Sequence, residues 1–189
     1  IFPTENVGKA VFKGIEIEVE AMATDTTRLG ATVQYLDAEY KSFVYNVPSN
    51  SPPQTACTTA STGAATIGLD CSGFRPPNAP EWVVRLTGEQ AFPLGDGADI
   101  VFDTSATFQS ETLTGLEFLP VEVQSAYWIV DANLTYHAPG DQFFISAFVH
   151  NLFDETVFTN AFPPPLTSGL FVAPLRAPRT YGVRAGFNF

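Results

Sequence analysis

The sequence has few basic residues, few charged residues of any kind and no long apolar run, and each shortage excludes a class of protein. Nine Lys and Arg stand against 20 Asp and Glu, a net charge of −11, so the clustered cations that neutralise nucleic-acid phosphates are missing. Charged residues make up only 15%, against about 25% in a typical soluble domain. No stretch approaches the roughly 18 uninterrupted apolar residues of a spanning helix. We therefore expect no nucleic-acid partner, and any membrane role would belong to strands.

The side chains of common catalytic and metal sites are also scarce. There are two histidines, and the chain contains no Gly-x-Ser-x-Gly motif, no legible Ser/His/Asp arrangement and no glycine-rich phosphate loop with its Lys. His137 and His150 fall on neighbouring predicted strands at different heights, so we do not expect them to share a metal ion. The sequence predicts neither an enzyme nor a cofactor.

Only two cysteines occur, Cys57 and Cys71, both in a stretch rich in Ser, Thr, Gly and Pro. No histidine lies nearby to complete a zinc set. We expect a disulfide that closes a surface loop in an oxidising compartment, in preference to two free thiols.

Alternation with a period of two residues dominates the rest of the chain. It predicts seven strands, at residues 14–22, 29–46, 82–92, 100–111, 128–137, 143–150 and 181–189. Short turns near residues 24–27, 95–97 and 139–141 alternate with long loops at 47–78, 115–124 and 161–178. All the long loops therefore lie at one end, which is typical of outer-membrane barrels.

Four short motifs occur within this strand pattern. The final residues, 178–189, read PRTYGVRAGFNF and resemble the closing strand of the TonB-dependent receptor family. NLFDE at 151–155 is similar to an element of its penultimate strand, NAPEW at 78–82 to the entry of an earlier strand, and GIE at 14–16 to its G-[IV]-E. Each motif alone is weak, but all four occur in the family's order and spacing.

The resemblance covers almost the whole chain, but only about the last third of such a receptor. It implies an all-β fold, an antiparallel transmembrane β-barrel segment of about seven strands out of about 22, with short periplasmic turns and long extracellular loops. Residues 1–189 would be the C-terminal portion of the barrel domain, without the plug domain, in the bacterial outer membrane. The N-terminal IFPTENVGKA lacks the features of a signal peptide, and we expect an internal piece of a longer chain.

The resemblance also implies a function and partners. The protein would be an outer-membrane receptor and active transporter for a scarce ligand such as a ferric siderophore, energised by the TonB system. Its partners would be that ligand, outer-membrane lipid, the N-terminal plug of the same chain, and TonB through the missing N-terminal region and its TonB box. Phe189 would be part of the signal that the barrel-assembly machinery reads.

The parity of the alternation assigns side chains to the inside of such a barrel. The lumen-facing candidates are Glu16, Glu18, Glu20, Arg85, Glu89, Asp103, Glu111, Asp131, His150 and Arg184. Carboxylates two residues apart on a strand are roughly 7 Å apart, so we favour a lumen wall bonded to the plug and to water over a metal or acid–base site for the three N-terminal glutamates. In the last long loop, Phe158, Phe162 and Phe171 either contact the ligand or pack the loop itself.

Two other architectures are compatible with the strand count. A soluble β-sandwich of seven strands would suit a carbohydrate-binding module, but it requires a core between two sheets. A small closed barrel requires an even number of at least eight strands in a bacterial single chain. The one-sided loops and the aromatic residues at strand ends favour the barrel segment.

Overall fold

The computed structural model describes residues 8–49, 53–164 and 169–188, and in these ranges the fold is all-β. In chain order the strands are β1 (Lys9–Thr24), β2 (Thr27–Ser42), β3 (Val44–Pro48), β4 (Thr58–Ser61), β5 (Thr66–Asp70), β6 (Trp82–Pro93), β7 (Asp99–Gln109), β8 (Thr112–Leu113), β9 (Val123–Gln124), β10 (Tyr127–His137), β11 (Phe143–His150) and β12 (Thr180–Phe187). Two short 3-10 turns span Pro120–Glu122 and Pro139–Asp141. No helix within these ranges is long and apolar enough to cross a membrane.

One antiparallel sheet of seven strands forms the body of the fold, in the order β1-β2-β6-β7-β10-β11-β12. The seven strands predicted from the alternation are thereby confirmed. Among the described residues, β1 and β12 each have a neighbour on one side only, so the sheet is an open segment. A closed small barrel is therefore excluded for this part of the chain.

One face of this sheet is apolar and lies uncovered. Leu86 is 43% exposed in the middle of β6, and Leu134 is 49% exposed in β10. Other exposed side chains of this face are Ile15, Ile17, Val19, Leu29, Phe102, Ile145 and Val183. A soluble sandwich would bury such a face beneath a second sheet, and none of the described strands covers it. The sandwich alternative is therefore wrong, whereas a lipid-facing surface needs no protein cover.

Aromatic residues of the apolar face gather at its two rims. At the end where the long loops leave, Tyr35 packs on Trp82 with ring centroids 4.8 Å apart, and Phe108 packs on Trp128 at 5.2 Å. At the end with the short turns, Phe143 lies 6.1 Å from Phe187 and 6.0 Å from Tyr136. Such paired belts are typical of strands that end at the two membrane–water interfaces.

The first long connection contains regular structure that the sequence did not predict. Residues 47–78 were expected to form a loop, and β2 was expected to continue to Asn46. Instead β2 ends at Ser42, and β3, β5 and β4 form a separate three-stranded sheet. Cys57 and Cys71 are joined by a disulfide, and with Leu69 and Phe118 they form a small buried core. These strands of four or five residues are too short for alternation to show.

The other two long connections are also ordered by local pairing. β7 ends at Gln109, earlier than expected, and the short strands β8 and β9 then pair with each other. In the last connection Phe158 bridges Leu175, and Phe162 bridges Val172. All three connections therefore fold back on themselves.

The β1–β2 hairpin rises above the rest of the sheet. Pairing between β2 and β6 ends at Tyr35 and Trp82, while β2 remains paired with β1 as far as Ser42. Residues 36–42 add roughly 24 Å of strand. The hairpin thus forms a two-stranded wall beside the loops at that end.

Candidate functional site

The second face of the large sheet carries the polar side chains that alternate with the apolar ones along each strand. Residues directly opposite each other in an antiparallel pair carry side chains on the same face. Arg28 lies opposite Glu89, and Glu89 lies opposite Asp103. The same register continues through Ser105 to Asp131. A continuous polar face therefore crosses the strands from β2 to β10, and it extends to both edges.

Part of this face curves into a groove with a volume of 590 Å³. Five of the predicted residues line it: Glu89, Asp103, Asp131, His150 and Arg184. Glu16, Glu18 and Glu20 on β1 share the face through their partners on β2, and Arg85 shares it through Thr32, but all four lie outside the groove. Glu111 lies beyond the end of β7, so the alternation that predicted its direction does not reach it.

Neutral side chains form the centre of the groove. The Asn133 amide nitrogen donates to Asp103 Oδ2 at 3.3 Å and to Thr135 Oγ1 at 3.0 Å. The Ser146 hydroxyl donates to Asn133 Oδ1, and the Thr135 and Ser146 oxygens are 3.1 Å apart. Thr135 and Ser146 are buried. The lumen-facing residues predicted from the sequence were all charged and did not include this network, although Asn133 and Thr135 have the parity of the polar face.

Each histidine has its own carboxylate. His137 Nδ1 lies 2.6 Å from Asp99 Oδ1 near the short turns. His150 Nδ1 lies 3.6 Å from Asp131 Oδ2 at the opposite end of β11, and Asp131 Oδ1 also accepts the Asn151 N–H at 2.9 Å. Across residues 8–49, 53–164 and 169–188, no group of three or more His, Cys, Asp or Glu side chains could hold a metal ion. The two histidines are therefore paired with carboxylates of this face at opposite ends of the sheet.

Two phenylalanines interrupt the polar face at its β11–β12 edge. Phe148 lies opposite Gly182, and Phe144 lies opposite Gly186. A Cβ at Gly182 would be 2.8 Å from the Phe148 ring, and one at Gly186 would be 2.3 Å from the Phe144 ring. The Arg184 guanidinium carbon lies 5.8 Å from the centroid of Phe148. Each ring therefore covers the backbone of the last strand, where a side chain is absent.

The three long connections contact one another through the middle one, residues 110–126. The first connection, between β2 and β6, contains the Cys57–Cys71 disulfide and is called the disulfide loop. Its Ala56 N–H donates to the Glu117 carbonyl of the middle connection at 2.8 Å. The connection between β11 and β12 is called the last loop, and its Phe158 N–H donates to Gln124 Oε1 of the middle connection at 3.0 Å. Together these loops form a packed layer above one end of the sheet.

The three predicted ligand-contact phenylalanines differ in exposure. Phe162 is 37% exposed, whereas Phe158 and Phe171 are half-buried. The bridge from Phe158 to Leu175 shows that this residue helps to order the loop. Phe162 is thus the most accessible of the three. The predicted assembly residue Phe189 lies outside the described residues.

Residues 1–152 match the family model "TonB dependent receptor-like, beta-barrel". The chain belongs to this family. No curated protein sequence matches it. Among solved structures, this TonB-dependent receptor segment is similar to the ferric yersiniabactin uptake receptor FyuA from Yersinia pestis, with a TM-score of 0.72 and 18% identity over 97% of this chain. It spans 24% of that receptor's chain.

Membership of the family shows in which membrane the sheet lies. TonB-dependent receptors are β-barrels of the bacterial outer membrane, so the seven strands are a segment of a larger barrel in that membrane. The short connections are the periplasmic turns, and the three long connections are extracellular loops. The apolar face with its two aromatic belts then faces lipid.

Proposed function

We propose that this chain is the C-terminal portion of an outer-membrane receptor that takes up a scarce ligand such as a ferric siderophore, with energy supplied through TonB. The observation that carries the proposal is the asymmetry of the sheet: one face is apolar and uncovered, the other holds a polar groove, and every long loop lies at one end. A wall between lipid and an aqueous passage, with a binding layer on the outside, requires this arrangement.

The polar groove is the surface that faces the lumen in this proposal. Its partner is the N-terminal plug of the same chain, and its amide, hydroxyl and carboxylate groups supply donors and acceptors for the plug backbone and for water. The lumen-facing set is the predicted one without Glu111, extended by the neutral Asn133, Thr135 and Ser146 that complete the hydrogen-bond network. Uptake then depends on displacement of the plug rather than on bond chemistry.

An iron complex is the proposed ligand class. FyuA, whose structure this segment resembles, is a ferric yersiniabactin uptake receptor. The layer of outer loops presents an exposed aromatic side chain, Phe162, suited to pack on an organic chelate.

Uptake assays in the source bacterium test the proposal. Strains that lack the receptor gene, and strains that lack tonB, are starved of iron and supplied with radioactive iron bound to a panel of siderophores. We expect one siderophore whose uptake is lost in both strains and restored by the receptor gene. If every iron complex enters the receptor mutant at the normal rate, while another nutrient no longer enters, the ligand class is wrong. If no uptake depends on tonB, the energy source is wrong.

A further inference from the structure

Two carboxyl groups, those of Glu117 and Glu122, meet inside the layer of outer loops. The 3-10 turn Pro120–Glu122 folds the chain back and brings the second carboxyl to the first. Glu122 is fully buried, at 0% exposure. Its Oε2 accepts the Leu119 N–H at 2.8 Å, but its Oε1 has no hydrogen-bond donor among the N–H and O–H groups of the described residues. A buried carboxylate oxygen without a donor is unfavourable.

When Glu117 carries a proton, the pair has a hydrogen-bond donor of its own. Two ionised carboxylates can only accept, so a hydrogen bond between them exists only when one carries a proton. Burial, the hydrogen bond to Glu122 and the negative charge of Glu122 together raise the pKa of Glu117 from 4.5 to about 7. Glu117 therefore holds its proton in acidic medium and loses it near neutral pH.

Within the described residues, no basic side chain forms an ion pair with Glu117 or Glu122. The other charged groups on the three loops are Glu111 on the same loop, Asp70, Arg75 and Glu81 on the disulfide loop, and Asp154, Glu155, Arg176 and Arg179 on the last loop. Arg75 donates to the carbonyls of Ala79 and Leu36. Arg176 donates to the Tyr127 hydroxyl, and Arg179 donates to the Leu152 carbonyl. Loss of the proton thus leaves two adjacent negative charges.

The same two residues hold the other loops. The Glu117 carbonyl accepts the Ala56 N–H of the disulfide loop at 2.8 Å. The Glu122 carbonyl accepts both the N–H and the hydroxyl of Thr114, each at 2.9 Å. The Thr114 hydroxyl oxygen in turn accepts the Ala161 N–H of the last loop at 3.1 Å. A shift of the carboxyl pair therefore strains contacts to both neighbouring loops.

Backbone atoms pack tightly around the pair, which favours a proton over a metal ion as its ligand. A Cβ at Gly115 would lie 2.0 Å from Glu122 Oε1 and 2.4 Å from the Ala161 carbonyl oxygen. A calcium ion needs six to eight oxygen ligands at about 2.4 Å, and two carboxylates packed against backbone do not offer them. A proton needs no such space.

We propose that Glu117 and Glu122 form a proton-operated latch, which holds the three outer loops together in acidic medium and loosens them in neutral and alkaline medium. The closed arrangement binds more protons than the open one between pH 4.5 and about 7. Its stability is therefore greatest below that window, falls as the pH rises through it, and levels off above it. The latch does not depend on which ligand the receptor carries.

Hydrogen exchange of the loop amides tests the latch in the intact receptor, in lipid nanodiscs. Exchange is measured by mass spectrometry at about pH 4 and about pH 8, on either side of the window, with rates corrected for intrinsic pH dependence. In the wild type, peptides that contain Ala56, Thr114 and Ala161 should be protected about tenfold more at the lower pH, a value reduced from the full pKa shift because Glu117 is partly exposed. Glu117→Gln should abolish this difference, and Glu122→Gln should reduce it, because the burial that also raises the pKa of Glu117 remains.

Glu111→Gln is the matched control, because it removes an exposed carboxylate from the same loop, and it should keep the pH difference. If Glu122→Gln, at the buried position, fails to fold, Glu117→Gln at the partly exposed position still tests the latch. Equal protection of the wild type at both pH values would overturn the latch, as would an unchanged difference in Glu117→Gln. A pH-independent protection that chelation of calcium abolishes would identify a metal site instead.

Discussion

A single asparagine, Asn151, determines how the chain leaves β11. It has a positive φ of 53°, a conformation that Asn adopts more readily than most residues, and its side chain is buried. The side-chain amide donates to the Glu155 carbonyl and accepts the Glu155 N–H, both at 2.9 Å. The NLFDE motif that resembles the receptor family is therefore explained locally, as a turn closed by its own asparagine.

Asn151→Ala should destabilise the folded receptor by about 1–3 kcal/mol, because two hydrogen bonds are lost and an alanine must adopt a positive φ. Urea unfolding of the receptor in detergent, followed by its shift on unheated gels, measures the change. Asn151→Gly separates the two causes, since it relieves the backbone but lacks the amide. A stability of Asn151→Ala equal to that of the wild type would show that the turn does not depend on this side chain.

The glycines of β12 are the second residue-scale feature, because aromatic rings occupy the space of their missing side chains. Gly186→Ala places a methyl group 2.3 Å from the Phe144 ring, which must move, and we expect a loss of about 1–3 kcal/mol from overpacking. Gly88→Ala in β6 is the control, since its nearest neighbour would be a side-chain methyl at 3.4 Å. The folded fraction after refolding into detergent is measured. Equal yields for both variants would contradict the role of the ring contact.

At the scale of elements, the disulfide belongs to the small sheet and not to the barrel wall. Cys57 and Cys71 enclose β4 and β5, and their core includes Leu69 and Phe118. Replacement of both cysteines by serine should weaken this sheet by about 3 kcal/mol, as expected for a loop of this length. Hydrogen exchange should become faster in residues 44–70 and stay unchanged in β6 and β7. Comparable loss of protection in β6 and β7 would show that the two sheets unfold together.

The sequence predicted the strands in which apolar and polar side chains alternate. It did not predict the strands that depend on contacts between residues distant in sequence. Ile15 to Glu20 alternate without exception, so the strand and the face of each side chain follow from parity. The alternation of short turns with long loops then indicated which end of the sheet carries the loops. β4 and β5 contain Thr, Ser and Gly without a clear apolar face. Glu117 and Glu122 come together because the chain turns at Pro120, and the alternating sequence pattern does not predict that turn.

At the scale of the whole molecule, the same substitution should have a different free-energy cost on each face of the sheet. Leu86 and Thr87 are neighbours in the middle of β6 and both are exposed. Leu86 pairs with Ala31 and Ala106 on the apolar face, while Thr87 pairs with Gly30 and Ser105 on the polar face. An arginine at either position has the same β-strand propensity and the same charge. Any difference in its effect on stability therefore comes from the surroundings of the two faces.

Leu86→Arg should therefore cost about 2–4 kcal/mol, the range for arginine at the lipid-facing midplane of a barrel, whereas Thr87→Arg should cost much less because its face is wet and already carries Glu89 and Asp103. The measurement is reversible folding of the intact receptor into lipid vesicles under increasing guanidinium chloride. Repetition in short-chain and long-chain lipids adds a second readout, since only the Leu86→Arg penalty should grow with bilayer thickness. Equal penalties at both positions, independent of the lipid, would mean that neither face of the sheet meets the hydrocarbon.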